Sequence, residues 1–253
     1  MTILVPDFRL EGKRALVTGA GRGIGLAIAR AYAAMGAEVT FCARTRHEIE
    51  AQAAELAQDG LKTRTLAIDV TDIDAFATAL ENEESFDIFV NNAGTNRPKP
   101  LMDVSEDDYD AVMGLNTKAA IFAAKAVAKG MIAAGRGGSI INMSSQMGHV
   151  GAANRTLYCT SKWAIEGFTR ALAVELATHQ IRVNTICPTF VETPMTKPFF
   201  KDPAFRNVVL SKIKLGRIGQ VEDIIGAAVF LASSSSSLMT GSSVMLDGGW
   251  TAD

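Results

Sequence analysis

Tyr158 and Lys162 stand four residues apart, a spacing that puts both side chains on one face of a helix. A free tyrosine titrates near pH ~10, too high for a base at neutrality. A neighbouring ammonium stabilises the phenolate and lowers that value, so the pair can trade a proton with an alcohol or ketone oxygen. Taken alone, Tyr-x3-Lys also describes a core tyrosine beside a surface lysine. Near the N-terminus runs a second suggestive stretch, Thr18-Gly19-Ala20-Gly21-Arg22-Gly23-Ile24-Gly25. Glycines there let the backbone turn sharply and approach a pyrophosphate, which the free N–H groups and positive end of a following helix receive. An ordinary tight turn is the bland alternative. Placement between an apolar β-type run and an amphipathic helix favours the phosphate reading.

The elements that must position these residues alternate along the chain. Candidate strands are Ala15–Thr18, Val39–Cys42, Leu66–Asp69, Ile88–Val90, Ser139–Met143, Arg182–Ile186 and Val244–Leu246. Continuous apolar runs of this kind suit strands covered on both faces. Between them lie helical patterns, with Ile24, Ile28, Ala31 and Met35 on one face and Ile165, Phe168, Leu172 and Leu176 on another. Strand–helix alternation predicts one α/β domain over residues 1–253, a Rossmann-like, doubly wound parallel sheet of seven strands with helices on both faces. The segment 188–212 carries Pro188, Pro194, Pro198 and Pro203. Such an excursion is expected to be a mobile substrate lid or a partner-binding insert. Ser233–Ser237 reads as a frayed helix end before the last strand.

Composition narrows the functional classes. With 253 residues, 48% hydrophobic and 21% charged, the chain is neither disordered nor a disulfide miniprotein. A net charge of −2 argues against wrapping nucleic acid or lying on an anionic membrane. Three cysteines, Cys42, Cys159 and Cys187, without paired metal-ligand spacing fit a reducing compartment, and no metal is expected. No signal peptide pattern and no apolar run of about 18 residues is present, so a cytoplasmic location is the expectation.

The residue that reads an adenosine ribose should stand at the end of the second strand, roughly 20 residues beyond the glycines. That strand ends Cys42-Ala43-Arg44-Thr45-Arg46. A carboxylate there would accept from ribose hydroxyls and repel a 2′-phosphate. Ala43 occupies the position, and Arg44 with Arg22 could converge on a 2′-phosphate, which favours NADP(H) over NAD(H). Arg44 and Arg46 could equally be solvated charges at a helix start. Asp69 could meet the adenine edge, with Val70 contributing its backbone, or cap the next helix.

With these residues in view, the chain resembles the classical branch of the short-chain dehydrogenase/reductase family. The motifs carrying the likeness are Thr18-Gly19-x3-Gly23-x-Gly25, Asn91-Asn92-Ala93-Gly94, Asn116, Ser145 and Tyr158-x3-Lys162, with Asp69-Val70, Arg182-Val183-Asn184 and Asp247-Gly248-Gly249 in support. They span almost the whole chain in the family's order. The resemblance implies that Tyr158, Ser145, Lys162 and Asn116 are catalytic. Ser145 would hydrogen-bond the substrate oxygen, Lys162 the nicotinamide ribose, and Asn116 a water on the path from Lys162 to solvent. Ser144 is an adjacent rival to Ser145. The resemblance further implies that Gly19, Gly23, Ile24, Gly25, Asn92, Gly94, Pro188, Val191 and Thr193 line the cofactor. Thr189 stands where the family usually has glycine, so the backbone there is expected to differ if the position requires a positive φ.

Substrate-facing positions are then expected after Gly94, between Ser145 and Tyr158, and in the Pro-rich excursion. They supply Asn96, Arg97, Gln146, His149, Asn154, Arg155 and Phe190. Arg97 and Arg155 suit an anion, and Gln146, His149 and Asn154 suit hydroxyls, so the mix leans to a polyol, sugar or sugar acid. Each is also a residue type found on loop rims, and His149 is expected to be a satisfied loop histidine, Cys159 a packing residue. The expected activity is hydride exchange between a nicotinamide and a secondary alcohol or ketone. Alternatives are a 3-oxoacyl-thioester reductase and a non-catalytic nicotinamide-binding module. The family likeness implies a homotetramer, with Leu238–Trp250 at a subunit contact.

Overall fold

The computed structural model describes residues 5–252; the first four residues and Asp253 of the expected 1–253 domain lie outside the described residues. Seven strands, β1 (Arg14–Thr18), β2 (Glu38–Ala43), β3 (Thr63–Ala67), β4 (Ile88–Asn91), β5 (Gly138–Met143), β6 (Ile181–Pro188) and β7 (Ser243–Leu246), form one parallel sheet in the order β3-β2-β1-β4-β5-β6-β7. The order reverses between β1 and β4, so the loops leaving those two strands diverge and open a crevice at their carboxyl ends.

Strand periodicity sorts the core into two layers. Val17, Phe41, Val90 and Ile141 pack against α1 (Gly23–Ala34), α2 (Arg46–Gln58) and α8 (Glu222–Ala232). Their neighbours Leu16, Phe89, Ile140 and Val183 face α3 (Ile73–Glu81), α5 (Ala120–Ala134) and α6 (Thr156–Leu176). On α1 the most buried residues are Ile28, Ala29, Tyr32 and Ala33, one step round from the expected Ile24–Met35 stripe. Tyr32 donates to the Ala228 carbonyl at 2.8 Å, locking α1 to α8.

Three local expectations shift. β3 covers Thr63–Ala67 rather than Leu66–Asp69, and its first residues are half-exposed or exposed, because an edge strand has only one neighbour and need not be apolar. The excursion after β6 is not wholly irregular: Asp202 caps and Pro203 opens α7 (Pro203–Lys212), a start signal in which proline loses no needed N–H. The stripe expected on α6 divides: Ile165 and Leu176 are buried and Phe168 and Leu172 only half-buried, while Ser161, Lys162, Glu166 and Thr169 make the rest of the buried face of its N-terminal half polar.

Helix α4 (Glu106–Met113) runs through a π-helical turn, Gly114–Ala119, into α5. Together they make a 29-residue helical stretch, Glu106–Ala134, apolar enough in part to match a membrane span. Its capping box at Ser105 and Asp108 and the buried stripe Ala123, Ala124, Val127 and Met131 identify it as a helix packed on the sheet.

Candidate active site

The crevice begins where β1 gives way to α1. Gly19 and Gly23 take φ of 67° and 60°, the left-handed region that glycine enters freely. A Cβ on Gly25 would stand 2.4 Å from both the Gly19 carbonyl oxygen and Asn92 Nδ2, so backbone and strand-end loop touch only because glycine is there. Arg22 at the N-cap offers no side-chain cap, and the first turn of α1 holds no acid. The first N–H groups of the helix are thus unclaimed by side chains and face the crevice, an arrangement suited to phosphate. The Thr18 hydroxyl accepts from Asn92 N at 2.9 Å and Ala93 N at 3.2 Å, tying the loop after β4 to β1 across the switch point.

A cleft of about 350 Å³ runs from this turn to Tyr158. Every position assigned to the cofactor from the sequence lines it: Gly19, Arg22, Gly23, Ile24, Gly25, Arg44, Asp69, Val70, Asn92, Gly94, Tyr158, Lys162, Pro188, Val191 and Thr193. The extended cleft, the glycine cradle and the bare helix end fit a dinucleotide.

At the far end of β2, Arg44 is largely exposed and approaches Asp69 at 3.6 Å. Burial works against the Asp69 carboxylate, but the Thr71 N–H and hydroxyl and the Arg44 guanidinium hold it below its usual range. The helix cap foreseen for Asp69 belongs to Asp72, which accepts from Ala75 N at 3.1 Å. Arg46 pairs with Glu50 within α2, as a solvated helix-start charge does. Glu48 also lines the cleft beside Gly21, and the sequence reading missed it.

The reacting end is built on the first turns of α6. Lys162 donates to the Met143 carbonyl at 2.8 Å, and its ammonium lies 5.5 Å from the centre of the Tyr158 ring. The two side chains meet, but the expected electrostatics are corrected. Burial raises the Tyr158 phenol; the Ser145 hydroxyl and the Arg155 guanidinium oppose that rise, and the net direction is upward. Burial dominates for Lys162 too, pulling it down to about 8 against Cys187 and Glu166, which favour its charge. Ser145 is buried, donating to Pro188 O at 3.4 Å and accepting from Met147 N at 3.1 Å.

Asn116 sits in the π-helical turn, off the cleft wall. Its Oδ1 accepts from Thr95 N at 2.8 Å, and its Nδ2 donates to Thr95 O and to Ser161 Oγ. The side chain is a bracket between the loop after β4 and α6. Thr193 shares its hydroxyl with Thr196. Thr189 needs no positive φ: among the described residues only Asn154 and Gln180 adopt one without being glycine.

The substrate candidates divide. Arg97 lies outside the cleft, paired with Asp107 and with Asp108, and is not available to a ligand there. Gln146 and Arg155 are buried, the one adjacent in the chain to Ser145 and the other three residues before Tyr158, and neither lines the dinucleotide cleft. Phe190 belongs to an aromatic group with Phe200, Phe205 and Trp250. Asn154 is exposed. His149 Nε2 stands 3.5 Å from Cys187 Sγ and 3.5 Å from Glu166. Glu166, buried and unforeseen, also accepts from Ser243 at 2.6 Å and Thr185 at 3.2 Å, and these donors hold its carboxyl below the usual range although burial opposes them. The only sequence signal for it is its place one turn beyond Lys162.

Comparison with known proteins agrees with this geometry. A family model described as enoyl-(acyl carrier protein) reductase matches residues 19–251. The chain is 40% identical over 246 residues to L-xylulose reductase of Bos taurus, covering 97% of this chain and 99% of that one. It is 39% identical over 251 residues to gluconate 5-dehydrogenase of Gluconobacter oxydans, with 97% and 98% covered. The crystal structure of a gluconate 5-dehydrogenase from Burkholderia cenocepacia, in complex with NADP and tartrate, superposes with a TM-score of 0.94 at 34% identity, covering 98% of each chain.

Proposed function

The chain belongs to the short-chain dehydrogenase/reductase family, and from that premise we propose that it is an NADP(H)-linked oxidoreductase for a polyol, sugar or sugar acid. The observation that carries this reading is the meeting of Ser145, Tyr158 and Lys162 at one end of a cleft whose other end is the glycine cradle. When bound, the nicotinamide supplies or accepts the hydride. Ser145 holds the substrate oxygen by a hydrogen bond, and Tyr158 gives or takes its proton. Lys162, fixed by Met143 O, binds the ribose and keeps positive charge under the phenol ring. Residues 1–253 act as one catalytic domain.

The preference for NADP(H) over NAD(H) is supported by Ala43 in place of an acid, by Arg44 and Arg22 along the cleft, and by the NADP in the related gluconate 5-dehydrogenase. The related enzymes named for xylulose and gluconate support the substrate class. The exposed Phe122, Trp163, Val174 and Leu238 support association between copies of the chain, of which the homotetramer implied by the family is the proposed form, and sedimentation velocity reads it directly.

The test of function is NADPH absorbance during turnover of ketoses, ketoaldonates, polyols, aldonates and a 3-oxoacyl thioester, with NADH run in parallel. Tyr158→Phe is expected to lower kcat by roughly 10²- to 10⁴-fold while leaving NADPH binding intact. No turnover of any compound by the native protein, or an unimpaired Tyr158→Phe variant, refutes the reading. Turnover of the thioester alone replaces it with the acyl reductase.

A further inference from the structure

We propose that Arg155 is the receptor for a substrate carboxylate, so that within the function proposed above the substrate is a sugar acid, an aldonate with its ketoaldonate, rather than a neutral polyol or ketose.

Arg155 is only 8% exposed, yet its Nη1 has no hydrogen-bond partner among the described residues. No acidic side chain among the described residues pairs with its guanidinium, which rests instead over the Phe199 ring at 5.5 Å. A buried charge is costly unless an opposite charge and hydrogen bonds answer it. The other deeply placed arginines are answered: Arg14 by Glu38 and Glu83, Arg182 by Ser236 and two main-chain carbonyls. Arg14 also lies over a ring, that of Phe86, but keeps its acidic partners. Arg155 alone among these has a ring and no answering acceptor, and arginine does not escape by losing its proton.

Its location says what the missing counter-group belongs to. Arg155 is at the N-cap of α6, three residues before Tyr158, near enough to favour the phenolate. Beside it the same pattern of unanswered polarity recurs. Gln146, 1% exposed and next to Ser145, leaves both ends of its amide without partners, and Thr189, next to Pro188 on the cleft wall, leaves its hydroxyl so. Three residues before the reacting phenol, and outside the dinucleotide cleft, there is thus one buried cation for a carboxylate; the buried Gln146 amide and the Thr189 hydroxyl, the latter on the cleft wall, remain for substrate hydroxyls. A neutral polyol satisfies the last two and leaves the cation unanswered; an aldonate satisfies all three. Arg97, the other candidate cation, is already neutralised by Asp107 and Asp108.

In the oxidative direction the balance is simple. The substrate C–H bond breaks with its electron pair leaving as hydride to NADP⁺, the O–H proton passes to Tyr158, and the C=O bond forms. The carboxylate takes no part in the bond changes and serves only to hold the chain of carbons.

The experiment compares kcat/KM with NADP⁺ for C4–C6 aldonates and for the polyols of matching configuration, in native protein and in Arg155→Met and Arg155→Lys. Native protein is expected to prefer an aldonate by about 100-fold or more, as a site built around a buried polar group rejects an analogue that cannot answer it. Arg155→Met should lower the aldonate-to-polyol ratio by about 100-fold, mainly through KM, and Arg155→Lys should restore part of it. A native preference for the neutral compounds, or a ratio unchanged within about threefold in Arg155→Met, overturns the proposal while the wider function stands. If Arg155→Met does not fold, the native ratio and Arg155→Lys decide. Turnover of neither class overturns this proposal and the function together.

Discussion

Removing the charge from Lys162 should make the cofactor-free protein more stable. The lysine is 6% exposed, and burial brings its ammonium from the ordinary 10.5 to about 8. That fall corresponds to about 3 kcal/mol of preference for the neutral amine in the folded state. The sign follows from proton binding: between pH 8 and 10.5 the unfolded chain holds the proton and the folded one does not, so stability rises with pH across that window. Below pH 8 the folded state carries the whole cost. Lys162→Met removes it and forfeits the 2.8 Å bond to Met143 O, worth about 1 kcal/mol. The net expectation at pH 7 is a gain of about 2 kcal/mol with catalysis lost. Urea unfolding of native protein and variant at pH 7 and pH 9.5, without cofactor, checks it. Raising the pH should close the gap by about 2 kcal/mol, because the native protein recovers and the methionine variant has nothing to recover. A Lys162→Met protein less stable than native at pH 7, or a gap that does not move with pH, refutes the argument.

Gly25→Ala should weaken NADPH binding by tens-fold in a fluorescence titration, because its Cβ would meet the Gly19 carbonyl at 2.4 Å and must push the phosphate turn outward; unchanged affinity would show that the turn does not hold the cofactor. Arg44→Asp should raise the KM for NADPH roughly 10-fold more than that for NADH in steady-state assays, and equal effects would remove Arg44 from any part in reading the 2′-phosphate. Tyr32→Phe should cost about 1 kcal/mol in thermal or urea unfolding, since it strips the donor from a fully buried bond to Ala228 O, and a neutral result would mean that the α1–α8 contact rests on packing alone.

How far the sequence could be read depended on whether a residue's neighbours were local. β1, β4, β5 and β6 declare themselves because strands covered on both faces are buried and rich in apolar residues, and the glycine turn lies within one stretch of chain. β3 does not, since Thr63, Arg64 and Thr65 sit at a sheet edge with little apolar cover. Tyr158 and Lys162 are adjacent by helix geometry, but the balance of burial over charge that sets their titration is a property of the assembled core. Arg97 and Arg155 look alike as loop arginines; only folding brings Asp107 and Asp108 to the first and encloses the second. Glu166 could not be found, because the groups that answer it come from β6, β7 and the loop after β5.

The two ends of the cleft are carried by opposite wings of the sheet, β1–β3 with Arg44 and Asp69 on one side, β4–β7 with Tyr158 on the other, where Arg155 lies buried three residues before it. Across the seam the ladder is short, Ala15 to Ile88, Leu16 to Phe89 and Val17 to Val90, reinforced by Thr18 and Asn92. Such a joint lets nucleotide choice and substrate choice be retuned separately, since a change at residue 44 has no shared partner with one at residue 155. The molecule is in this sense two recognition devices sharing a hinge line, and an altered coenzyme habit need not disturb what is oxidised.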